Sequence, residues 1–410
     1  MVTMKELYSL AEVADMIGCS KETLRRWEKS GKLNCVRNPM NNFRYYKREE
    51  LEKIPQCAIL FKNKPLSCLY QSHSRYKTIE LFAGGGGLAC GFHLAGFEHI
   101  LLNEMDHTCC ETLRLNRPDW NIIEGDIAGV DFHKFEGQVD VLTGGFPCQA
   151  FSYAGERRGF EDARGTLFYQ FARAVKECQP RIAVGENVRG LLTHENGQTI
   201  TTMVSILKDL GYVVLPPQLL KAIFYKVPQK RERLFIVAIR KDVYREGLFE
   251  FPQPDSRVYT MRDALKSGDL YGCDVPISEG QKYPPKKAAV LAMVPPGGYW
   301  RDLPLNIQKD YMGGSFYLGG GKTGMARRLS WDEPCLTLTC SPAQKQTERC
   351  HPEETRPLTV REYARIQTFP DDWEFFGSSS AKYKQIGNAV PVNLARAVAS
   401  AVAKYLDSLN

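Results

Sequence analysis

The chain has 13 cysteines in 410 residues, yet no two of them stand in a Cys-x-x-Cys pair. Zinc knuckles need ligands at that spacing and disulfide frameworks belong to small secreted chains, so neither is encoded. The cysteines read as reduced thiols, and no metal is expected. No run of about 18 uncharged apolar residues occurs, and the stretch Met1 to Glu6 lacks the apolar core of a signal peptide. A soluble, cytoplasmic protein with no membrane partner is expected. Residues 78 to 410 have no excess of either charge, with 39 Lys+Arg against 39 Asp+Glu. Residues 1 to 77 carry 15 Lys+Arg against 8 Asp+Glu, which accounts for the whole formal net charge of +7. A basic patch of this kind suits a polyanion.

That basic segment opens with Ser9 followed by Glu12, a capping box, and then apolar residues at helical spacing up to Gly18. Ser20 caps a second helix from Lys21 to Lys29, and Ser30-Gly31 ends it. Asn41-Asn42-Phe43-Arg44-Tyr45-Tyr46 reads as a hairpin, and Lys47 to Ile54 as a third helix. The segment resembles the MerR-type winged helix. The resemblance implies that Arg25, Arg26, Lys29, Arg37 and Arg44 contact DNA, with the second helix in the major groove. The alternative is a small packing or dimerisation unit with a solvated charged face.

Beyond residue 77 the pattern alternates strands and helices. Thr78 to Phe82 is a short apolar strand, and Ala83-Gly84-Gly85-Gly86-Gly87 permits a tight turn with close backbone approach to a ligand. Glu104 ends a second apolar strand and Asp126 follows a third. Such acids can accept from ribose hydroxyls and from an exocyclic amine, which suits a nucleoside cofactor. A further run, Asp140 to Gly145, delivers Phe146-Pro147-Cys148-Gln149. Strand, proline-stiffened turn and thiol together describe a presented nucleophile. Glu186-Asn187 follows the strand Arg181 to Val184, and Gln229-Lys230-Arg231-Glu232-Arg233 leads into the strand Leu234 to Ile239. Both clusters therefore sit at strand ends, where ligands of doubly wound sheets bind.

In this order, from residue 78 to 408, the blocks resemble the DNA (cytosine-5) methyltransferase family of the restriction-modification type. The resemblance implies an α/β fold: a doubly wound Rossmann-like methyltransferase sheet, a small loop-rich target-recognition domain, and the N-terminal winged helix (helix-turn-helix) attached. It implies S-adenosyl-L-methionine (SAM) as cofactor, bound by Phe82, Ala83, Gly84, Gly86, Gly87, Leu88, Glu104, Met105, Asp126, Ile127, Asn388 and Val390. Met105 stands where several relatives place an aromatic, and its thioether can cover a ring face too.

C5 of cytosine is a poor nucleophile until a thiolate adds to C6, and Cys148 would supply it. Glu186 would deliver a proton at N3. By resemblance Arg233, with Arg231 beside it, would bind O2, and Pro147, Gln149 and Ser152 would touch the substrate. Asn187, with a held water, is the candidate for the step that removes the C5 proton. Gln149 to Gly165 reads as a loop able to close over a flipped base. From Lys241 to Thr355 periodicity is poor. By resemblance this stretch reads DNA, with Lys322, Arg327, Arg328, Lys345 and Arg349 as contacts.

The expected division is 1–56 helix-turn-helix, 57–77 linker, 78–240 catalytic and cofactor-binding, 241–355 target recognition, and 356–410 a return segment. The expected partner is double-stranded DNA, with the gene's own promoter as a second DNA target for residues 1–56. The family type implies a cognate restriction endonuclease acting on the same site. Two other readings stay open, a tRNA cytosine-5 methyltransferase and a DNA-binding regulator that keeps a methyltransferase domain. A zinc deaminase is excluded, since Phe151 occupies the second cysteine position of its Pro-Cys-x-x-Cys motif.

Overall fold

The computed structural model describes residues 6–39, 42–62, 70, 75–147, 166–319 and 322–410. The chain divides into two compact units, one of residues 1–68 with 253–258 and one of 69–252 with 259–410.

In the first unit β1 (Leu7–Ser9) leads into α1 (Leu10–Ile17) through the expected capping box: Glu12 N donates to Ser9 Oγ, and Ser9 N donates to Glu12 Oε2 at 2.8 Å. Gly18 ends the helix at φ 80°, and Ser20 caps α2 (Lys21–Lys29). Strands β2 (Val36–Arg37) and β3 (Arg44–Lys47) form the hairpin, and the antiparallel sheet runs β1-β3-β2. Two short helices follow, α3 (Arg48–Leu51) and α4 (Pro55–Lys62). The second stands where the sequence predicts a linker from residue 57 onward. Its Phe61 ring packs on Tyr8 at 5.4 Å, and Cys57 and Leu60 are buried. That apolar contact makes α4 part of the unit's core, a tertiary reason no local pattern displays.

The second unit is built on a sheet with strand order β10-β12-β8-β7-β4-β5-β6, and β9 pairs β12. β4 (Lys77–Leu81), β5 (Glu98–Glu104), β6 (Ile122–Glu124), β7 (Val141–Gly144) and β8 (Ile182–Val188) are parallel. β9 (Tyr212–Val214), β10 (Gln218–Lys221) and β12 (Glu232–Arg240) form the antiparallel side. The chain winds outward from β4 to β6, then restarts at β7 on the other side of β4. The crevice at the carboxyl ends of β4 and β7 is thus the topological switch point, the place where open α/β sheets bind ligands.

Helices α5 (Gly87–Leu94), α6 (His107–Asn116), α7 (Leu167–Cys178) and α8 (Gln198–Asp209) accompany the strands. β11 (Gln229–Lys230) pairs in parallel with β13 (Cys335–Leu336) of the loop-rich region. That region carries α9 (Met261–Leu265), α10 (Pro285–Ala292) and α11 (Leu305–Met312) around Leu291, Trp300 and Met312. The chain returns through α12 (Val360–Ile366), α13 (Ser379–Asn388) and α14 (Val392–Asp407).

α14 lies against α5 so closely that a Cβ on Gly91 would stand 2.4 Å from Ala395 Cβ, and one on Gly87 would stand 2.3 Å from the Val390 carbonyl oxygen. Only glycine admits that approach. The run Ser379–Asp407 is long and apolar enough to cross a membrane by composition, but 83% of its most apolar window is buried inside the protein. Its apolarity is that of a core helix pair.

Candidate functional site

A cavity of about 280 Å³ opens at the switch point. Phe82, Ala83, Gly84, Gly87, Leu88 and Glu104 line it from the first half of the sheet, and Asn388 and Val390 from the return segment. Phe82 takes φ 58°, an uncommon conformation for a non-glycine residue and one that marks functional turns. Glu104 accepts from Gly84 N at 2.7 Å, from Met105 N at 2.7 Å and from Asp106 N at 2.8 Å. Its carboxylate thereby ties the glycine turn to the start of α6 while still facing the cavity.

The other expected cofactor residues lie outside the lining. Gly86, at φ 87°, is the N-cap of α5 with no room for a Cβ, which would meet Trp373 at 2.6 Å. Met105 is an exposed side chain, Asp126 caps a short turn by accepting from Ala128 N at 2.9 Å, and Ile127 is buried in the main core.

Several lining residues carried no signal in the sequence reading: Glu80, Asp106, Cys109, Gly145, Lys384 and Gln385. Glu80 sits on an ordinary strand position, and only the sheet order turns it inward. Burial pushes its carboxyl up to about 8 and drives neighbouring His99 down to about 3, so the two meet as neutral groups 3.7 Å apart. Asp106 caps α6; its bonds from Thr108 and the nearby Lys384 ammonium hold it at about 2.

The second half of the crevice holds an acid and an arginine. Glu186, at the end of β8, has Arg233 Nε 2.7 Å from its Oε1, each side chain about 10% exposed. The two lie on facing strands, because β12 pairs antiparallel with β8. Burial raises the Glu186 carboxyl against the opposing pull of Arg233 and Arg231. A Cβ on Gly145 would come within 2.9 Å of Glu186 Oε2, so the glycine lets the acid approach the turn that leads to Pro147. Phe146 anchors that turn in the core between Phe168 and Phe171. Cys148, Gln149 and Ser152 lie outside the described residues, as does the expected loop to Gly165.

Two expected catalytic residues have other partners. Asn187 donates its side-chain amide to the Phe146 carbonyl at 2.8 Å, so it secures the turn before Cys148 rather than facing the crevice. Arg231 is buried and donates to the carbonyls of Leu338 at 3.1 Å and Gly387 at 2.7 Å. It straps the loop-rich region and the return segment to the strand that carries Arg233.

Expected DNA contacts divide in the same way. Arg328 is buried and donates to the carbonyls of Leu291, Val294, His351 and Glu354, and Arg349 is buried against the Thr337 carbonyl. Both are internal staples. Arg327 pairs with Glu333 at 3.7 Å, Lys345 lies over the Tyr311 ring at 5.0 Å, and Lys322 closes its own turn by donating to the Ser315 and Leu318 carbonyls. In the first unit Arg44 Nε holds Glu28 at 2.6 Å with Arg37 beside it, so the wing arginines are occupied by the second helix's own acid. Arg25 and Arg26 stay exposed on α2, Arg25 beside Glu22 at 3.1 Å.

Comparison with known proteins agrees with this arrangement. Residues 76–404 match the C-5 cytosine-specific DNA methylase family, and residues 8–66 match the MerR HTH family of regulatory proteins. The chain is 62% identical over 407 residues to Type II methyltransferase M.Eco47II of Escherichia coli, covering 99% of this chain and 98% of that one. It is 51% identical over 338 residues to Type II methyltransferase M.Sau96I of Staphylococcus aureus, covering 82% and 77%. A solved Dnmt2 methyltransferase of S. pombe superposes with a TM-score of 0.54 at 17% identity, covering 82% of this chain and all of that one, a likeness of fold.

Proposed function

This chain belongs to the C-5 cytosine-specific DNA methylase family and is a DNA cytosine methyltransferase of the type II kind, and from that premise we propose that it transfers a methyl group from SAM to C5 of a flipped cytosine through a Cys148 adduct at C6. The observation that carries the reading is the crevice itself. A glycine-walled cavity sized and lined for a nucleoside meets a buried Glu186–Arg233 pair at one switch point.

The chain's own groups fit SAM. The Gly84–Gly87 turn offers backbone at close range, Glu104 offers carboxylate lone pairs for ribose hydroxyls, and Phe82 and Val390 offer apolar walls. When bound, the cofactor supplies an electrophilic methyl group. The Cys148 thiolate adds to C6 of the cytosine, which makes C5 nucleophilic. Glu186, kept protonated more readily by its burial, supplies the proton at N3, and Arg233, 2.7 Å from the acid, binds the ring oxygen beside it. Asn187 fixes the Phe146 carbonyl and so the approach of the turn. After methyl transfer a base removes the C5 proton and the thiol leaves. We take double-stranded DNA as the polymer bound by both units, the gene's own promoter as a second target of residues 1–56, and a restriction endonuclease of the same site as the companion activity.

Tritiated SAM, offered with plasmid DNA and separately with tRNA, tests the reading. Label at C5 of cytosines within one short DNA sequence, lost in Cys148→Ala while cofactor and DNA still bind, is the expected result. Label in tRNA would move the substrate to RNA, and label in neither polymer would leave a regulator.

A further inference from the structure

A chain of buried amides runs behind the crevice. Gln229, Arg231 and Gln367 are 0%, 3% and 0% exposed. Gln229 Nε2 donates to Gln367 Oε1 at 2.7 Å, and Gln229 Oε1 accepts from Leu338 N at 2.9 Å. Gln367 Nε2 donates onward to the carbonyls of Ile386 at 2.7 Å and Ala389 at 3.1 Å. Arg231 closes the ring, bonding Leu338 on one side and Gly387 on the other. At the same place the two backbones touch: a Cβ on Gly387 would stand 2.4 Å from the Thr339 carbonyl oxygen.

Each end of this network leads to a different part of the reaction. Leu338 belongs to the loop-rich region, whose Thr337 is itself held by Arg349 and by the Lys230 carbonyl. Ile386 to Ala389 lead directly into the cavity wall of Asn388 and Val390. Gln229 lies in β11 and Arg231 just before β12, the strand whose Arg233 meets Glu186. Apolar side chains of equal size would hold such an interface with no loss of stability. A polar network in which every amide group of Gln229 and Gln367 is partnered, and in which Arg231 lacks a partner only at Nε, instead fixes one register between its parts.

We propose that Gln229, Arg231 and Gln367 are positioning residues that couple the DNA-reading region to the cofactor wall, so that occupancy of one site sets the geometry, and the affinity, of the other. The inference rests on SAM occupying the cavity. Coupling of this sort is reciprocal and falls in the range of about 5–150-fold.

The test uses S-adenosylhomocysteine, which cannot react, and a short duplex carrying the sequence methylated by the wild-type protein. Duplex affinity is measured with and without the cofactor product by fluorescence anisotropy, and the reverse by calorimetry. The wild-type protein is expected to show the same cooperativity factor, several-fold or more, in both directions. Gln367→Met and Arg231→Lys should keep both separate affinities within a few-fold and bring the factor close to one. Tyr383→Phe, which loses an unrelated buried bond to the Leu358 carbonyl at 2.7 Å, should be destabilised yet keep full cooperativity. Gln229→Met provides the same reading should Arg231→Lys fail to fold. Retained cooperativity in the network variants, or none in the wild type, overturns the inference alone. Failure of the wild type to bind the cofactor product overturns the functional reading and the inference with it.

Discussion

Replacing Arg233 with methionine removes the cation from a pair that is only about 10% exposed on each side and 2.7 Å apart. Opposite charges about 4 Å apart attract by about 4 kcal/mol at an effective dielectric of ~20, and stranding one partner of a buried pair costs about 3–5 kcal/mol. The stranded Glu186 can escape part of that loss by taking up a proton, so the cost depends on pH. Burial already raises the Glu186 carboxyl above its unfolded value and Arg233 opposes the rise. A raised carboxyl contributes its stability fully below the unfolded value and loses it as pH climbs through the folded one.

Without Arg233 the folded value moves further up. The variant should therefore lie close to wild type near pH 5 and fall behind by about 3 kcal/mol or more near pH 8. Urea melts at the two pH values, on Arg233→Met and on Arg233→Met/Glu186→Gln, measure this directly. The double variant should show a loss that no longer grows with pH. Methyl transfer should fall in both by about 10²–10⁴-fold, the usual worth of a positioned acid. An equal loss at both pH values in the single variant would refute the idea that Arg233 holds Glu186 ionisable.

Gly87→Ala should weaken SAM binding at least tenfold and lower the melting point, since its Cβ would meet the Val390 carbonyl at 2.3 Å; equilibrium binding and a thermal melt check both. Arg328→Met should cost stability, about 2–4 kcal/mol from orphaned buried carbonyls, while DNA affinity measured on the folded fraction stays unchanged. In the first unit Arg26→Ala should reduce the salt slope of DNA binding by about one. Arg44→Ala should instead act chiefly through Glu28, which it holds at 2.6 Å, so that Arg44→Ala/Glu28→Gln restores much of the loss.

Local chemistry made a large part of this protein readable in its residue order. Ser9 with Glu12 and Gly18 mark a helix whose cap needs no tertiary contact, and the Gly84–Gly87 run can serve little but a tight approach. Strand-end acids such as Glu104 and Glu186 follow from apolar runs that stop at a carboxylate. What the residue order left open was which of many polar side chains face the crevice and which face inward. Arg231 and Arg233 are two positions apart and look alike in sequence, yet one binds backbone carbonyls and the other an acid, because the pairing of β12 with β8 sets Arg233 opposite Val188, two positions along the strand from Glu186 and within reach of its carboxylate. Arg328 and Arg349 read as surface charges until the loop-rich region folds around them. Glu80 and Gln385 enter the cavity through sheet order and the return of the chain some 300 residues later, Thr112 donating to Gln385 at 2.6 Å across a separation of 273 residues. Sequence alone therefore determined the capped helices, the apolar strands and the kinds of chemistry, because those rest on local caps, turns and periodicity, whereas α4 shows only in the folded unit. The tertiary structure decided which charge meets which partner, because burial and pairing depend on contacts that lie far apart along the chain.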